Sequence, residues 1–299
     1  MTKHVQIVEV SPRDGLQADP ADLSTDQKVD LITRLIEAGH TRIEAASFVS
    51  PAAVPKMADG DAVMAAVPRP DHVTYSALAF NQRGVDRAIA AGVGEVTGVV
   101  VASETFSQKN QNASIAESID RWRMVGADAR AAGLRTSVTV ASAFGCPFEG
   151  RVDPTVVVDI ASQLADTQPD ELALADTIGV AVPTNVADLF RVVIDVAPDP
   201  TLRGHFHNTR NTALANIAAA LDVGVRTFDT SLGGVGGCPF APRATGNVPT
   251  EDVAYMLEEM GYTTGLDLDR LIQSTSWLEE VLQHSTPGLV AKAGGFPTP

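Results

Sequence analysis

The chain has 299 residues, of which 44% are hydrophobic and only 5% aromatic, and carries a formal charge of -15. That acidic balance disfavours nucleic acid or an anionic membrane surface as the partner, because both need a basic footprint. The aliphatic content excludes a disordered chain and supplies the Val, Ile, Leu and Ala that parallel-sheet interiors favour. Cys146 and Cys238 are too few for a disulfide framework, and no signal peptide or apolar run of about 20 residues stands out, so a cytoplasmic protein with reduced thiols is expected.

In chain order, an apolar run at 5–10 precedes helical spacing at 25–38, and the alternation then repeats. Strand 42–46 leads to helix 59–66, strand 73–78 to helix 82–91, strand 95–101 to helix 114–132, and strand 136–141 to helix 154–165. Strand 171–175 leads to helix 184–196, strand 203–207 to helix 212–223, and strand 226–230 to helix 251–260. Gly39, Gly92, Gly133, Gly224 and Gly261 each follow a predicted helix, where a left-handed cap costs glycine least. Eight βα units predict an α/β fold closed as a (β/α)8 TIM barrel over residues 1–299, with an open doubly wound sheet as the alternative. No GxGxxG lies in the first βα turn, which speaks against a dinucleotide site. A further helix at 268–282, within a C-terminal helix and tail at 266–299, is expected to pack on the barrel or on a second subunit.

Barrel enzymes place their chemistry at the C-terminal ends of the strands and in the loops that follow. His205 and His207, in Arg203-Gly-His-Phe-His-Asn-Thr, share one face of the seventh strand with Cα atoms roughly 6 to 7 Å apart, close enough to grip one ion. Asp14 follows the first strand in Ser11-Pro-Arg-Asp-Gly-Leu-Gln; alone it reads as a turn residue. One carboxylate, two imidazoles and the amide oxygen of Asn247 would make a mixed set suited to Mg2+ or Mn2+, and no thiolate pair invites a structural zinc. Cys238 follows four glycines, in a loop able to move; Cys146, in Phe144-Gly-Cys-Pro-Phe, has a similar setting, and spacing barely separates the two. Against the acidic background, an anionic substrate would need local cations, and Arg13, Lys56, Lys109, Arg210 and Arg243 stand beside these turns.

Together the segments Val8-Glu-Val-Ser-Pro-Arg-Asp-Gly-Leu-Gln, Ile43-Glu-Ala-Ala-Ser-Phe-Val-Ser-Pro, Phe106-Ser-Gln-Lys-Asn, Gly145-Cys-Pro-Phe-Glu-Gly, Ala175-Asp-Thr-Ile-Gly-Val and Gly236-Gly-Cys-Pro-Phe-Ala resemble the 3-hydroxy-3-methylglutaryl-CoA lyase family. The likeness continues through Ala244-Thr-Gly-Asn-Val-Pro-Thr-Glu-Asp and covers most of the chain. It implies a divalent metal on Asp14, His205, His207 and Asn247, an Arg13 that stabilises enolate charge, a Cys238 on a mobile catalytic loop, and Glu44 and Asp176 in the site. It also implies retro-Claisen cleavage of a 3-hydroxyacyl-CoA to acetyl-CoA and a 3-oxo acid. His205 or Asp176 would take the hydroxyl proton and Cys238 would protonate the enolate. Gln17, Ser47, Lys109 and Asn110, inside the same segments, are the expected substrate contacts, and a homodimer is the expected assembly.

The pattern departs from the resemblance in two places. His207-Asn-Thr-Arg-Asn stands where the family usually has His-Asp-Thr-Tyr-Gly, and Arg243 stands where Gly is common. Added positive character predicts a related 3-hydroxy-3-carboxyalkyl or longer branched acyl-CoA with Arg210 contacting its carboxylate, or a surface Arg210 paired with an acid. Two other classes stay open at this level: a Claisen-type synthase joining acetyl-CoA to a 2-oxo acid, and a barrel that binds metal and acyl-CoA without turnover.

Overall fold

The computed structural model describes residues 3–237 and 246–297. Strands β1 (Gln6–Glu9), β2 (Arg42–Ser47), β3 (Thr74–Leu78), β4 (Glu95–Val101), β5 (Arg135–Ala141), β6 (Glu171–Asp176), β7 (Thr201–Phe206) and β8 (Thr227–Thr230) close into a parallel barrel in sequence order. β1 pairs along its length with β8 but meets β2 only at Glu9 opposite Ile43. The register between β2 and β3 shifts at Glu44 and Ala46, an irregularity of the kind that re-aims a side chain near a site.

The helices are α1 (Leu16–Ala18), α2 (Thr25–Glu37), α3 (Gly60–Ala66), α4 (Gln82–Ala90), α5 (Glu104–Gln111), α6 (Ile115–Ala131), α7 (Pro154–Ala165), α8 (Pro183–Val196), α9 (Ala213–Asp222), α10 (Thr250–Glu259), α11 (Leu268–Leu282) and α12 (Val290–Ala293). Their starts follow from local chemistry. Ser24 with Gln27 and Ser114 with Glu117 form reciprocal capping boxes, and Pro154 and Pro183 fill first-turn positions that need no donor. The five predicted cap glycines all adopt positive φ. α11 lies against the barrel beside α2, with Leu271 and Leu278 buried and the Arg34 guanidinium 4.5 Å from the Trp277 ring. None of the described helices is long and apolar enough to cross a membrane.

Three local features differ from expectation. Ser11–Gly15 forms a wide helical turn that runs into α1, so Asp14 sits on helical backbone rather than in a β-turn. The segment after β4 is helical, α5; its composition, Glu-Thr-Phe-Ser-Gln-Lys-Asn-Gln, hides the period, and the Ser103 hydroxyl accepting from the Phe106 N–H starts it. β7 ends at Phe206, and His207 lies just beyond it in an isolated bridge with Asn247.

The outer shell is aliphatic, but the barrel interior holds charge. Arg42 on β2 reaches across to Glu95 on β4 (2.9 and 2.6 Å) and Glu171 on β6 (2.9 and 2.7 Å). Arg203 on β7 joins Glu171 at 3.0 Å to Asp229 on β8 at 3.3 Å. Every one of these side chains is at most 9% exposed, so each charge persists only because its partner is beside it.

Candidate active site

The interior charges lead upward to the mouth of the barrel. Asp229, paired below with Arg203, meets the ring of His205 above, with Oδ2 3.0 Å from Nδ1. His205, His207 and Asp14 each offer one ligand atom, and these atoms lie within 4.8 Å of one another. Asn247, drawn in by its bridge to His207, donates from Nδ2 to Asp14 Oδ2 at 2.9 Å and to the Val235 carbonyl at 3.3 Å. Arg13 closes the ring, with Nη1 3.0 Å from Asp14 Oδ1 and Nη2 2.6 Å from Glu44 Oε2.

The electrostatics suit a cation. Burial would raise the Asp14 carboxyl, but Arg13, then the two imidazoles and the Asn247 amide, outweigh it and bring it down to about 2. Burial lowers His207 to about 3, so its ring is neutral at pH 7 and keeps a lone pair. Burial also opposes charge on His205, but the Asp229 hydrogen bond and charge move it upward. An ionised carboxylate and a neutral buried imidazole, with a second imidazole whose Nδ1 is already engaged, fit a hard or borderline divalent ion. The His207 Nδ1 is buried with no hydrogen-bond partner among the described residues, an orphan that a polar site of this kind should not carry without a function.

A cavity of about 1310 Å3 opens over this cluster. Arg13, Asp14, Gln17, Glu44, Lys109, Asn110, His205 and His207 all line it, so the structure brings these expected residues together. Ser47 is buried and does not line it. Two other expected residues also lie off the cavity. Asp176 is fully buried outside the cavity, where its two oxygens accept from the Val180 and Ala181 N–H groups and hold the turn into α8. Arg210 also stands off the cavity, its Nη1 donating to the Ile178 and Gly179 carbonyls of that same turn, so the guanidinium fastens a loop. Cys238 and Arg243 fall outside the described residues. Cys146 is buried, with Ser103 Oγ 2.9 Å from its sulfur, and does not line the cavity.

The sequence reading missed the second layer. Arg203 and Asp229 line the floor of the cavity, and Glu9 and Glu251 hold the root of the glycine-rich loop. Glu9 accepts from the Leu232 N–H at 3.0 Å and the Thr250 hydroxyl at 2.6 Å; Glu251 accepts from the Gly233 N–H at 3.0 Å. The only signal in the sequence was an acid placed inside an apolar run.

Burial, reinforced by Asp252 and Glu9, pushes the Glu251 carboxyl up to about 8. A carboxyl raised on folding is protonated in the native state while the unfolded chain ionises near 4.5, so stability falls as pH rises from about 4.5 to about 8. Glu251→Gln removes that slope. Urea unfolding from about pH 5 to pH 9 should show the variant gaining a few kcal/mol on wild type at the alkaline end; parallel curves would mean the carboxyl ionises freely.

Comparison with known proteins agrees with this geometry. The family model described as HMGL-like matches residues 4–277. An (R)-citramalyl-CoA lyase of Chloroflexus aurantiacus is 45% identical over 97% of this chain and 95% of its own length. A hydroxymethylglutaryl-CoA lyase of Pseudomonas mevalonii is 45% identical over 90% of this chain and 89% of its own. The solved structure of an HMG-CoA lyase from Acinetobacter baumannii, in complex with coenzyme A and 3-methylmalate, superposes with a TM-score of 0.93 at 41% identity, covering 99% of this chain and 98% of that one. The synthase and binding-only alternatives give way, and the chain, a carbon–carbon lyase on a closed βα barrel, belongs to the HMGL-like family.

Proposed function

We propose that this lyase cleaves a 3-hydroxyacyl-CoA to acetyl-CoA and an oxo acid by retro-Claisen chemistry, with Mg2+ or Mn2+ held by Asp14, His205, His207 and Asn247. The convergence of Asp14, His205 and His207 beside the Arg13–Glu44 pair, inside a cavity large enough for a thioester substrate, carries this reading. When bound there, a divalent ion makes the substrate hydroxyl a better proton donor.

The chain's own groups supply the rest. The lone pair of His205 Nε2 serves an ion or a proton, not both at once, and Asp176 lies outside the cavity. Glu44 remains as the acceptor of the hydroxyl proton: burial raises its carboxyl against the pull of Arg13, and it lines the cavity. As the C2–C3 bond breaks, its electron pair moves onto the thioester, where the Arg13 guanidinium meets the enolate oxygen. The enolate then takes a proton at C2. Cys238 is the proposed donor; its neighbour Gly237 lines the cavity.

Two substrates suit this description, 3-hydroxy-3-methylglutaryl-CoA, which would yield acetoacetate, and citramalyl-CoA, whose C3 itself bears the carboxylate and which would yield pyruvate. The 45% identity to a citramalyl-CoA lyase supports the second reading. Metal-stripped protein reconstituted with Mg2+ or Mn2+ and given each thioester, with products followed by mass spectrometry, tests both. Metal-dependent acetyl-CoA with acetoacetate or with pyruvate is the expected result; acetyl-CoA formed equally without metal, or no cleavage of either, would overturn the assignment.

A further inference from the structure

His205 and His207 are neighbours with rings 5.2 Å apart, yet they are held differently. The Nδ1 of His205 faces Asp229 Oδ2 at 3.0 Å, whereas the Nδ1 of His207 is buried without a hydrogen-bond partner among the described residues. Asp229 is itself fixed from below. Its other oxygen, Oδ1, faces Arg203 Nε at 3.3 Å, and the same guanidinium reaches Glu171 Oε1 at 3.0 Å, which Arg42 ties to the far side of the barrel. The side chains of Arg42, Glu171, Arg203 and Asp229 are at most 9% exposed, so trading a partner for solvent is costly for each.

We propose that Asp229, oriented by Arg203, is a positioning residue: it holds the His205 ring with its proton on Nδ1 and leaves the Nε2 lone pair directed to the cavity. The metal consequence rests on the function proposed above; the orientation itself does not. A carboxylate has only acceptor oxygens, so the ring nitrogen facing it must carry the proton. A guanidinium has only donors, so the oxygen facing it can be nothing but an acceptor. The order Arg203, Asp229, His205 therefore reads in one direction: the Arg203 ion pair fixes Asp229 as an acceptor, and Asp229 holds the proton on His205 Nδ1. Such partners of ligating histidines set the tautomer, and their loss typically costs about 10- to 100-fold in metal affinity.

The asymmetry gives a test that simple loss of packing would not pass. In Asp229→Asn the side chain keeps its shape, but Arg203 still demands an oxygen, so the amide turns its NH2 to His205. Nδ1 must then accept, the proton moves to Nε2, and that nitrogen is no longer free. Adding Arg203→Met releases the amide, which can turn its oxygen back to Nδ1–H. Two readouts apply: 15N NMR of histidine-labelled, metal-free protein for the tautomer, and electron paramagnetic resonance titration with Mn2+ for affinity.

The expected result is an Nδ1–H ring in wild type, an Nε2–H ring with Mn2+ affinity about 10- to 100-fold weaker in Asp229→Asn, and recovery of at least part of both in the double variant. An unchanged tautomer and affinity in Asp229→Asn would overturn the proposal. So would a double variant no better than the single one, since Arg203 would then not govern the amide. A wild type that binds no Mn2+ while the tautomers change as expected would overturn the metal reading and leave the orienting role standing.

Discussion

Replacing Arg13 with Met should lower kcat by about 10^3-fold with little change in KM, the size of loss seen when a preorganised donor to a developing oxyanion is removed. The guanidinium spends Nη1 on Asp14 and Nη2 on Glu44, and its Nε is buried without a hydrogen-bond partner among the described residues. Arg13 lines the cavity, and each terminal nitrogen carries a second N–H besides the one spent on a carboxylate, a donor that gains most when charge develops on a substrate oxygen. Arg13→Lys should rescue little, because one ammonium cannot span both carboxylates and still present a further donor. Steady-state measurement decides the matter: an equal fall in kcat and kcat/KM locates the loss in the transition state, whereas a rise in KM alone would make Arg13 a ground-state contact. Arg13 is also the strongest group lowering Asp14 and opposes the burial that raises Glu44. Both carboxyls should therefore titrate higher in the Met variant, and the acid limb of its pH–rate profile should move to higher pH.

Arg42→Met should cost about 4 kcal/mol of folding stability, read from the urea midpoint, although Arg42 lies at the far end of the barrel from the reaction. Four hydrogen bonds tie it to Glu95 and Glu171, and its removal leaves buried negative charge uncompensated. The two acids are not equally exposed to that loss. Glu171 keeps Arg203 at 3.0 Å and Arg135 at 3.4 Å, while the nearest ion-pair partner left to Glu95 among the described residues is Arg135, at 3.8 Å, with the Arg203 charge and Ser137 helping from farther off. Adding Glu95→Gln should therefore restore most of the lost stability, and a double variant as weak as Arg42→Met alone would mean the cost is packing, not charge. Burial opposes ionisation of Glu95, but Arg42 outweighs it and lowers the carboxyl in the fold. A lowered carboxyl stabilises above its unfolded value near 4.5 and loses that contribution as pH falls through the folded value, so wild type should lose this increment on acidification and the double variant should not.

The repeating βα unit was legible because apolar runs and cap glycines are local signals, and the strand limits agree to within a residue or two. The candidate ligand cluster was legible because Asp14 follows β1 and His205 and His207 straddle the end of β7, and a closed barrel brings such strand ends into one place. Asp176, which ends β6, and Arg210, which follows β7, lie off the cavity because backbone N–H groups and carbonyls of the α8 turn hold them. Arg203 and Asp229 were hidden inside strands, since nothing in the chain says that β7 and β8 turn a charge onto the same interior level. α5 was hidden by composition, with one cap hydroxyl as its only marker.

The seating of β1 bears on how the nascent chain acquires its active site. Glu9 takes hydrogen bonds from Leu232 and Thr250, 223 and 241 residues later, and almost all of the β1 ladder belongs to β8. A ribosome therefore releases this strand long before its partners exist, and the entropy of closing so large a loop is met only once the barrel's last quarter emerges. Asp14 rides directly behind β1, so the carboxylate of the candidate metal site is synthesised long before the strand that seats it and is among the last to be set in place.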